Sequence, residues 1–359
     1  MSKLRIAVVG CGKVAQGHVR AWTKVPREVE IVALVDRVRE KAEATRDAFR
    51  LTDARALVDY HELLGEKTVD AIDLCTYSDL HDDIIAAFMD AGKHIMTEKP
   101  VGYSLEACRR MRWYARQHPD LKVGVAYSLR YYPVNQKVKA LLAEGAIGKI
   151  MLLDVTHVHP HDYTRHGRHL DRHWVASRAR LGIERSTDSG GRYIASSEMT
   201  HVTHPYDLTR YLLGDEPFDV FAVNHNGATY ANIRFVGGTF ARVNPGPASK
   251  QGIPHVTPVF AQGTEGTLYT SWDHFNHPKK PELKAYLVRN GKRSVITGSG
   301  HSGHGDDQRT RNFIDAVTKD TALICDMTDA VATSELLHAI AESAAHEIRV
   351  PIHRRTQTG

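Results

Sequence analysis

Long apolar runs are missing from this sequence. No stretch approaches the roughly 18 consecutive apolar residues that a membrane-spanning helix needs, which argues against membrane insertion. The N-terminus has a single basic residue, Lys3, before a strand-like segment and lacks a signal-peptide profile. Cysteine is scarce: Cys11, Cys75, Cys108 and Cys325 are widely spaced and form no C-x-x-C pair. That is the usage of small, reduced, buried thiols, and a cytoplasmic protein is expected. Lysine-rich runs are absent too, and a net charge of +5 is mild, which argues against a nucleic-acid partner. Internal repeats are also lacking. What remains is ordinary for a chain with a full core, 42% apolar and 25% charged. At 359 residues it is long enough for two domains. The 22 histidines are the compositional oddity.

The apolar, β-branched run Leu4–Val9 ends in Gly10-Cys11-Gly12-Lys13-Val14-Ala15, and a helical pattern follows to about Lys24. This is G-x-G-x-x-A between a strand and a helix, the setting of a dinucleotide-binding turn. Gly10 permits the tight turn, Gly12 lets the backbone approach a pyrophosphate, and Ala15 lets the helix pack closely. The helix N-terminus offers N–H donors to the phosphates. A second strand, Ile31–Val35, ends at Asp36, the acidic residue expected about 20 residues on to bind a ribose. Its carboxylate repels a 2′-phosphate, so NAD is favoured over NADP, while Arg37 beside it suits either adenine stacking or a phosphate. Asp36 also suits a helix N-cap for residues 38–49, and the two roles are compatible.

Strand and helix patterns then alternate: strands at 69–75, 93–96 and 121–126, helices at 79–91 and 104–117. Such alternation predicts a doubly wound parallel sheet. Thr76–His81 caps one strand at the cofactor edge, either as a helix N-cap with an exposed histidine or as a nicotinamide contact. Ile95-Met96 leads into Thr97-Glu98-Lys99-Pro100 at the carboxyl end of another strand, facing the crevice where such sheets bind ligands. Glu-Lys-Pro alone is a common surface turn. In this setting Glu98 can hold the Lys99 ammonium, and Lys99 can exchange a proton or bind a developing alkoxide. Expected cofactor contacts are Gly10, Gly12, Lys13, Val14, Asp36, Arg37, Thr76, His81 and Glu98.

The fingerprint at Gly10, the Thr76–His81 turn, Glu98-Lys99-Pro100 and Arg130-Tyr131-Tyr132-Pro133 occur in the order and spacing of one family. The chain resembles the glucose–fructose oxidoreductase/inositol dehydrogenase (Gfo/Idh/MocA) family. Ile147–Ile150 resembles the start of its second domain, and the helical pattern Asp329–Glu347, closing in Ile348–Pro351, its final helix. The resemblance implies a Rossmann domain over 1–126 and, over 127–359, an α/β domain built on a large, mostly antiparallel open sheet. The final helix is free to pack back on the first domain. It further implies dimers or tetramers formed through that sheet and substrates drawn from sugars, cyclitols and their derivatives.

His204-Pro205-Tyr206-Asp207 looks like the family's H-x-x-D helix, with His204 as the catalytic imidazole and Asp207 a structural or substrate-contacting partner. An acidic residue often stands four before that histidine in the family. Here the position is Thr200, with Glu198 and His201 close by. Either Glu198 replaces the carboxylate or Thr200 makes room for a different substrate group. His201 suits either a supporting hydrogen bond or the substrate. Tyr127 and Arg130, near the domain junction, suit substrate contact or packing between domains.

Between 157 and 192 lie six histidines (157, 159, 161, 166, 169 and 173) and seven arginines (165, 168, 172, 178, 180, 185 and 192). Pro160 and the lack of a completing cysteine or carboxylate argue against zinc, and no metal is expected. The segment reads as a long loop whose side chains meet solvent and the protein's own carboxylates. The sharper alternative folds it over an anionic substrate group, with His173 and Arg178 as contacts. Strands are expected at 218–224, 229–235, 239–244, 257–271 and 284–289, with turns at Gly237-Gly238 and Gly263–Gly266. Gly298–Gly305 reads as a loop at the active site or at the surface, and Arg354–Gly359 as a frayed tail.

These residues point first to an NAD-dependent dehydrogenase for a secondary alcohol of a sugar. Lys99 and His204 would handle the proton while hydride passes to the nicotinamide. The alternative is an NAD⁺-dependent glycosidase working by transient C3 oxidation, elimination, water addition and re-reduction, on a neutral or anionic glycoside. A non-catalytic NAD-binding sensor is a third class, disfavoured because both proton-handling residues are present.

Overall fold

The structure, a computed structural model, describes residues 3–102, 104–157, 203–225, 228–245, 257–273, 282–297 and 305–352. The chain forms two compact units, residues 1–131 with 303–334 and residues 132–302 with 335–359.

In the first unit β1 (Leu4–Val9), α1 (Ala15–Thr23), β2 (Val29–Val35), α2 (Arg39–Ala48), β3 (Arg55–Leu57), β4 (Ala71–Leu74), α3 (His81–Asp90), β5 (His94–Thr97), α4 (Leu105–Gln117) and β6 (Val123–Val125) follow one another. Their strands form one parallel sheet in the order β3-β2-β1-β4-β5-β6, the order of a dinucleotide-binding sheet. Strand residues alternate between faces. Ile6 and Val8 of β1 pack with Val19 and Trp22 of α1 and with Phe313 and Ile314. Ala7 and Val9 pack on the opposite face, in the cluster of Ile85, Phe88, Met111 and Val331. Both faces are covered, which is why β1 and β2 read as nearly unbroken apolar runs.

The second unit contains α5 (Pro133–Ala143), β7 (Ile150–His157), α6 (Thr203–Leu213), β8 (Pro217–His225), β9 (Ala228–Phe235), β10 (Phe240–Pro245), β11 (Val259–Gly263), β12 (Gly266–Asp273), β13 (Glu282–Arg289) and β14 (Lys292–Thr297). Along the chain two helices follow, α7 (Asp306–Lys319), which belongs to the first unit, and α8 (Met327–His346), which begins in it, then β15 (Val350–Pro351). Among the described residues the second sheet runs β14-β13-β12-β11-β7-β10-β9-β8-β15. Every pairing in it is antiparallel except β7 with β10. The fold is therefore α/β with one parallel and one mostly antiparallel sheet, as the sequence implies. The four cysteines are free, and no described helix is long and apolar enough to cross a membrane.

β3, α5, β7, α7, β14 and β15 lie outside the sequence expectation.

Candidate active site

At the carboxyl end of β1 the chain turns sharply. Gly10 adopts φ +93°, and a Cβ built there would lie 2.7 Å from the Cys75 carbonyl oxygen. Only glycine fits, because the neighbour is main chain and cannot rotate away. Gly12 differs: a Cβ there meets nothing within 4 Å. The space above Gly12 is thus open, as a turn that lets a pyrophosphate approach requires. Lys13 is exposed, and Val14, the residue before α1, is 52% exposed.

Asp36 follows β2. Its Oδ2 accepts from the Cys11 N–H at 2.9 Å and its Oδ1 from the Val38 N–H at 2.9 Å. The second bond is an i→i+2 turn that leads into α2, whose N-cap is Val38 without a side-chain cap, so the N-cap role expected of Asp36 is not found. Each carboxylate oxygen accepts more than one hydrogen bond, which leaves capacity for ribose hydroxyls. Arg37 is exposed beside it. Large apolar side chains left open at the strand exits, Val14, Val38 and Tyr77, mark the same edge. The residues present fit a dinucleotide.

His81 corrects one expectation. It is fully buried rather than exposed. No side chain caps α3 or the short 3-10 turn before it. The His81 Nε2–H donates to the Thr76 carbonyl (3.2 Å), and Nδ1 lies 3.5 Å from the Thr97 Oγ1. The ring therefore pins the exits of β4 and β5 together. Burial lowers its pKa to about 4, so at neutral pH it is uncharged.

Beyond β5, Lys99 is half-buried and the Lys99–Pro100 peptide is cis. Glu98 grips Lys99 through the main chain, its Oε2 accepting the Lys99 N–H at 3.1 Å. Its other oxygen, Oε1, is 2.9 Å from Nε2 of His18 on α1. The Nδ1 of His18 lies 2.9 Å from both carboxylate oxygens of Asp73 in β4, and the Trp22 indole N–H donates to Asp73 at 2.6 Å. Arg309 of α7, 2% exposed, adds a guanidinium that acts electrostatically on Asp73 and Glu98 and pairs with Asp306 at 3.0 Å. Burial works against every charge here. The His18 bond and the charges of Lys99, His18 and Arg309 nevertheless hold Glu98 well below the usual carboxylate range. Burial and Arg309 depress His18, and Asp73 outweighs them, leaving its pKa well above the ordinary imidazole value.

Sequence reasoning missed this cluster. The available signal was Asp73 itself: an acid inside the apolar run Ala71-Ile72-Asp73-Leu74 needs buried donors. His18, Asp73 and Cys75 also bring possible ligand atoms within 4.8 Å of one another. Burial pushes the Cys75 thiol up to about 12, however, and a metal takes the thiolate.

Tyr127 and Arg130 lie inside the first unit. Tyr127 is fully buried in the core with Val125, Cys325 and Met327. Arg130, 2% exposed, donates to the Ile324 carbonyl at 3.0 Å and to Asp329 at 2.8 Å. Both thus act in packing within this unit. In the second unit, α6 packs on α5, β7 and β10. It carries His204, half-buried, and Asp207, fully buried, three residues apart on neighbouring positions of one helical face. His157 corrects the reading of the histidine segment as solvated loop: it ends β7, is 1% exposed, and its Nδ1 is 2.8 Å from the Thr257 Oγ1. The remaining histidines and the arginines of 158–192, including His173 and Arg178, lie outside the described residues. So do Glu198, Thr200, His201, residues 298–304 and the tail.

Residues 4–127 match the profile of the oxidoreductase family with an NAD-binding Rossmann fold. That N-terminal stretch is a domain of the Gfo/Idh/MocA family. An inositol 2-dehydrogenase of Acidothermus cellulolyticus is 31% identical over 222 residues, 61% of this chain and 56% of that relative. The chain spans about half the length of the curated relatives it matches. Among solved structures, an Agrobacterium radiobacter oxidoreductase in complex with NAD⁺, L-tartaric acid and magnesium has a TM-score of 0.79 at 19% identity, covering 99% of this chain and 100% of that one. A levoglucosan dehydrogenase in complex with NADH and levoglucosan has a TM-score of 0.78 at 19% identity, covering 98% and 100%. At that identity the likeness is one of fold.

Proposed function

We propose that this chain is an NAD-dependent oxidoreductase acting on a secondary alcohol of a sugar or sugar derivative. The observation that carries the reading is the carboxyl edge of the first sheet, where the open turn at Gly12, the ribose-type carboxylate of Asp36 and the braced Lys99 lie at the exits of β1, β2 and β5. Bound NAD⁺ would supply the hydride acceptor. The turn at Gly10–Val14 and the N-terminus of α1 would hold its phosphates. Asp36 would bind the ribose and, as an anion, turn away a 2′-phosphate. Lys99 would stabilise the alkoxide as it develops, and His204 would accept the hydroxyl proton, with Asp207 behind it. The inositol and levoglucosan dehydrogenases among its relatives and fold neighbours support a polyol or sugar as substrate.

An oligomer formed through the second sheet is part of the same reading. Phe221, Phe240 and Phe260 stand exposed on that sheet, and Tyr269 stacks on Tyr286 with centroids 5.1 Å apart. The test of function is a screen of neutral and acidic sugars, polyols and glycosides with NAD⁺. Oxidation with accumulating NADH is expected. Cleavage of a glycoside at catalytic NAD⁺ without NADH would favour redox-neutral elimination instead.

A further inference from the structure

We propose that His18 is a positioning residue: clamped between Asp73 and Glu98, it ties the Glu98-Lys99-Pro100 turn to the helix behind the dinucleotide turn and so sets the place of Lys99. The inference rests on the reading above only where Lys99 touches substrate. The clamp itself is argued from geometry.

Both ring nitrogens of His18 lie 2.9 Å from carboxylate oxygens. A neutral imidazole has one N–H and would turn a lone pair toward one of those oxygens. Two acceptors require two donors, and therefore an imidazolium. The alternative places the proton on Glu98 or Asp73, which the positive charges of Lys99 and Arg309 beside Glu98, and Arg309 with the Trp22 N–H at Asp73, disfavour. Charge count agrees: Asp73, Glu98 and Asp306 are balanced by His18, Arg309 and Lys99, and buried charges persist when paired and hydrogen-bonded. The groups facing His18 are Asp73 of β4, Cys75 just past it, Glu98 beyond β5, Arg309 of α7 and Trp22 of its own helix.

The connection matters because of where its ends are. His18 sits one turn into α1, three residues past Ala15, whose helix N-terminus faces the dinucleotide turn. Glu98 is bonded to Lys99 itself. A rigid strut of three side chains therefore links the phosphate-binding helix, the central strand β4 and the lysine turn. Losing it lets the turn relax while the dinucleotide turn, held by Gly10 against Cys75, stays in place.

Three measurements test this. In ¹⁵N-labelled protein both His18 ring nitrogens should remain protonated from mildly acidic to mildly alkaline pH. In His18→Gln, amide exchange at Lys99 should speed up at least about tenfold, because the bond to Glu98 loosens. With an oxidisable alcohol, kcat should fall about 100-fold, as expected for a slightly misplaced catalytic group. KM and NADH affinity should change less than about threefold, and the pH profile of kcat/KM should shift. Asp73→Asn should show the same pattern more weakly. A neutral His18 at neutral pH, or folded His18→Gln with unchanged Lys99 exchange and kcat, overturns the proposal. If neither variant folds, the wild-type ¹⁵N titration decides alone. A chain that oxidises no alcohol but shows a doubly protonated His18 and accelerated Lys99 exchange in His18→Gln keeps the clamp and discards the dehydrogenase reading.

Discussion

The two glycines of the β1–α1 turn should separate folding from cofactor binding. At Gly10 an alanine meets φ +93° and three main-chain atoms of the β4 exit: the Cys75 oxygen at 2.7 Å, the Cys75 carbonyl carbon at 2.8 Å and the Thr76 nitrogen at 3.0 Å. The backbone conformation costs about 1–3 kcal/mol. Forcing a methyl group against fixed main chain adds about 1–3 kcal/mol. Gly10→Ala should therefore lose about 2–6 kcal/mol, a large part of a typical folding free energy. Gly12→Ala meets no protein atom within 4 Å, so its fold should stay within about 0.5 kcal/mol of wild type or gain slightly from a stiffer unfolded chain. Its methyl group, however, enters the space where a pyrophosphate approaches, and an overpacking of 1–3 kcal/mol converts to about 5–150-fold weaker NADH binding. Urea denaturation followed by circular dichroism reads the first quantity and NADH fluorescence titration the second. A Gly10→Ala protein as stable as wild type, or a Gly12→Ala protein binding NADH as tightly, would refute the geometry.

Asp36→Asn keeps shape but removes charge. It should weaken NADH binding roughly tenfold and narrow discrimination against NADPH by a similar factor, since hydrogen bonds to a charged group contribute about 1.5–3 kcal/mol; parallel titrations with both nucleotides check this. His81 is held at about 4, below the ordinary 6.5. A depressed pKa means its contribution is complete above 6.5 and is lost as pH falls toward 4, about 3 kcal/mol in all. Denaturation of wild type and His81→Gln across that range should show the wild-type advantage shrinking with acid. A constant difference would contradict it.

The parallel sheet was legible because strands covered on both faces must be apolar throughout, and Leu4–Val9 and Ile31–Val35 are. The elements that escaped notice have weaker signatures. β3 has three residues, α5 begins at a proline that doubles as a motif position, and α7 starts after Gly305 in a left-handed conformation without a side-chain cap. β14 had a usable signal: Asn290-Gly291, both at positive φ, form the two-residue turn that joins β13 to it. At the site, motif spacing singled out Gly10, Gly12, Asp36 and Lys99, which the fold sets along the carboxyl edge of the first sheet. It could not show what stands behind them, because His18, Asp73 and Arg309 come from distant parts of the chain and meet only in the fold. Burial likewise reversed the expectations for His81 and His157, since period and composition do not say which polar residue finds an interior partner.

In the proposed function Lys99 and His204 handle the proton. Rates of NADH formation should be compared among wild type, Lys99→Ala and His204→Ala on whichever alcohol the screen identifies, with NADH affinity measured on each. Each variant should lose about 10²–10⁴-fold in kcat with NADH affinity within about threefold of wild type. Full activity in either folded variant would contradict the claim.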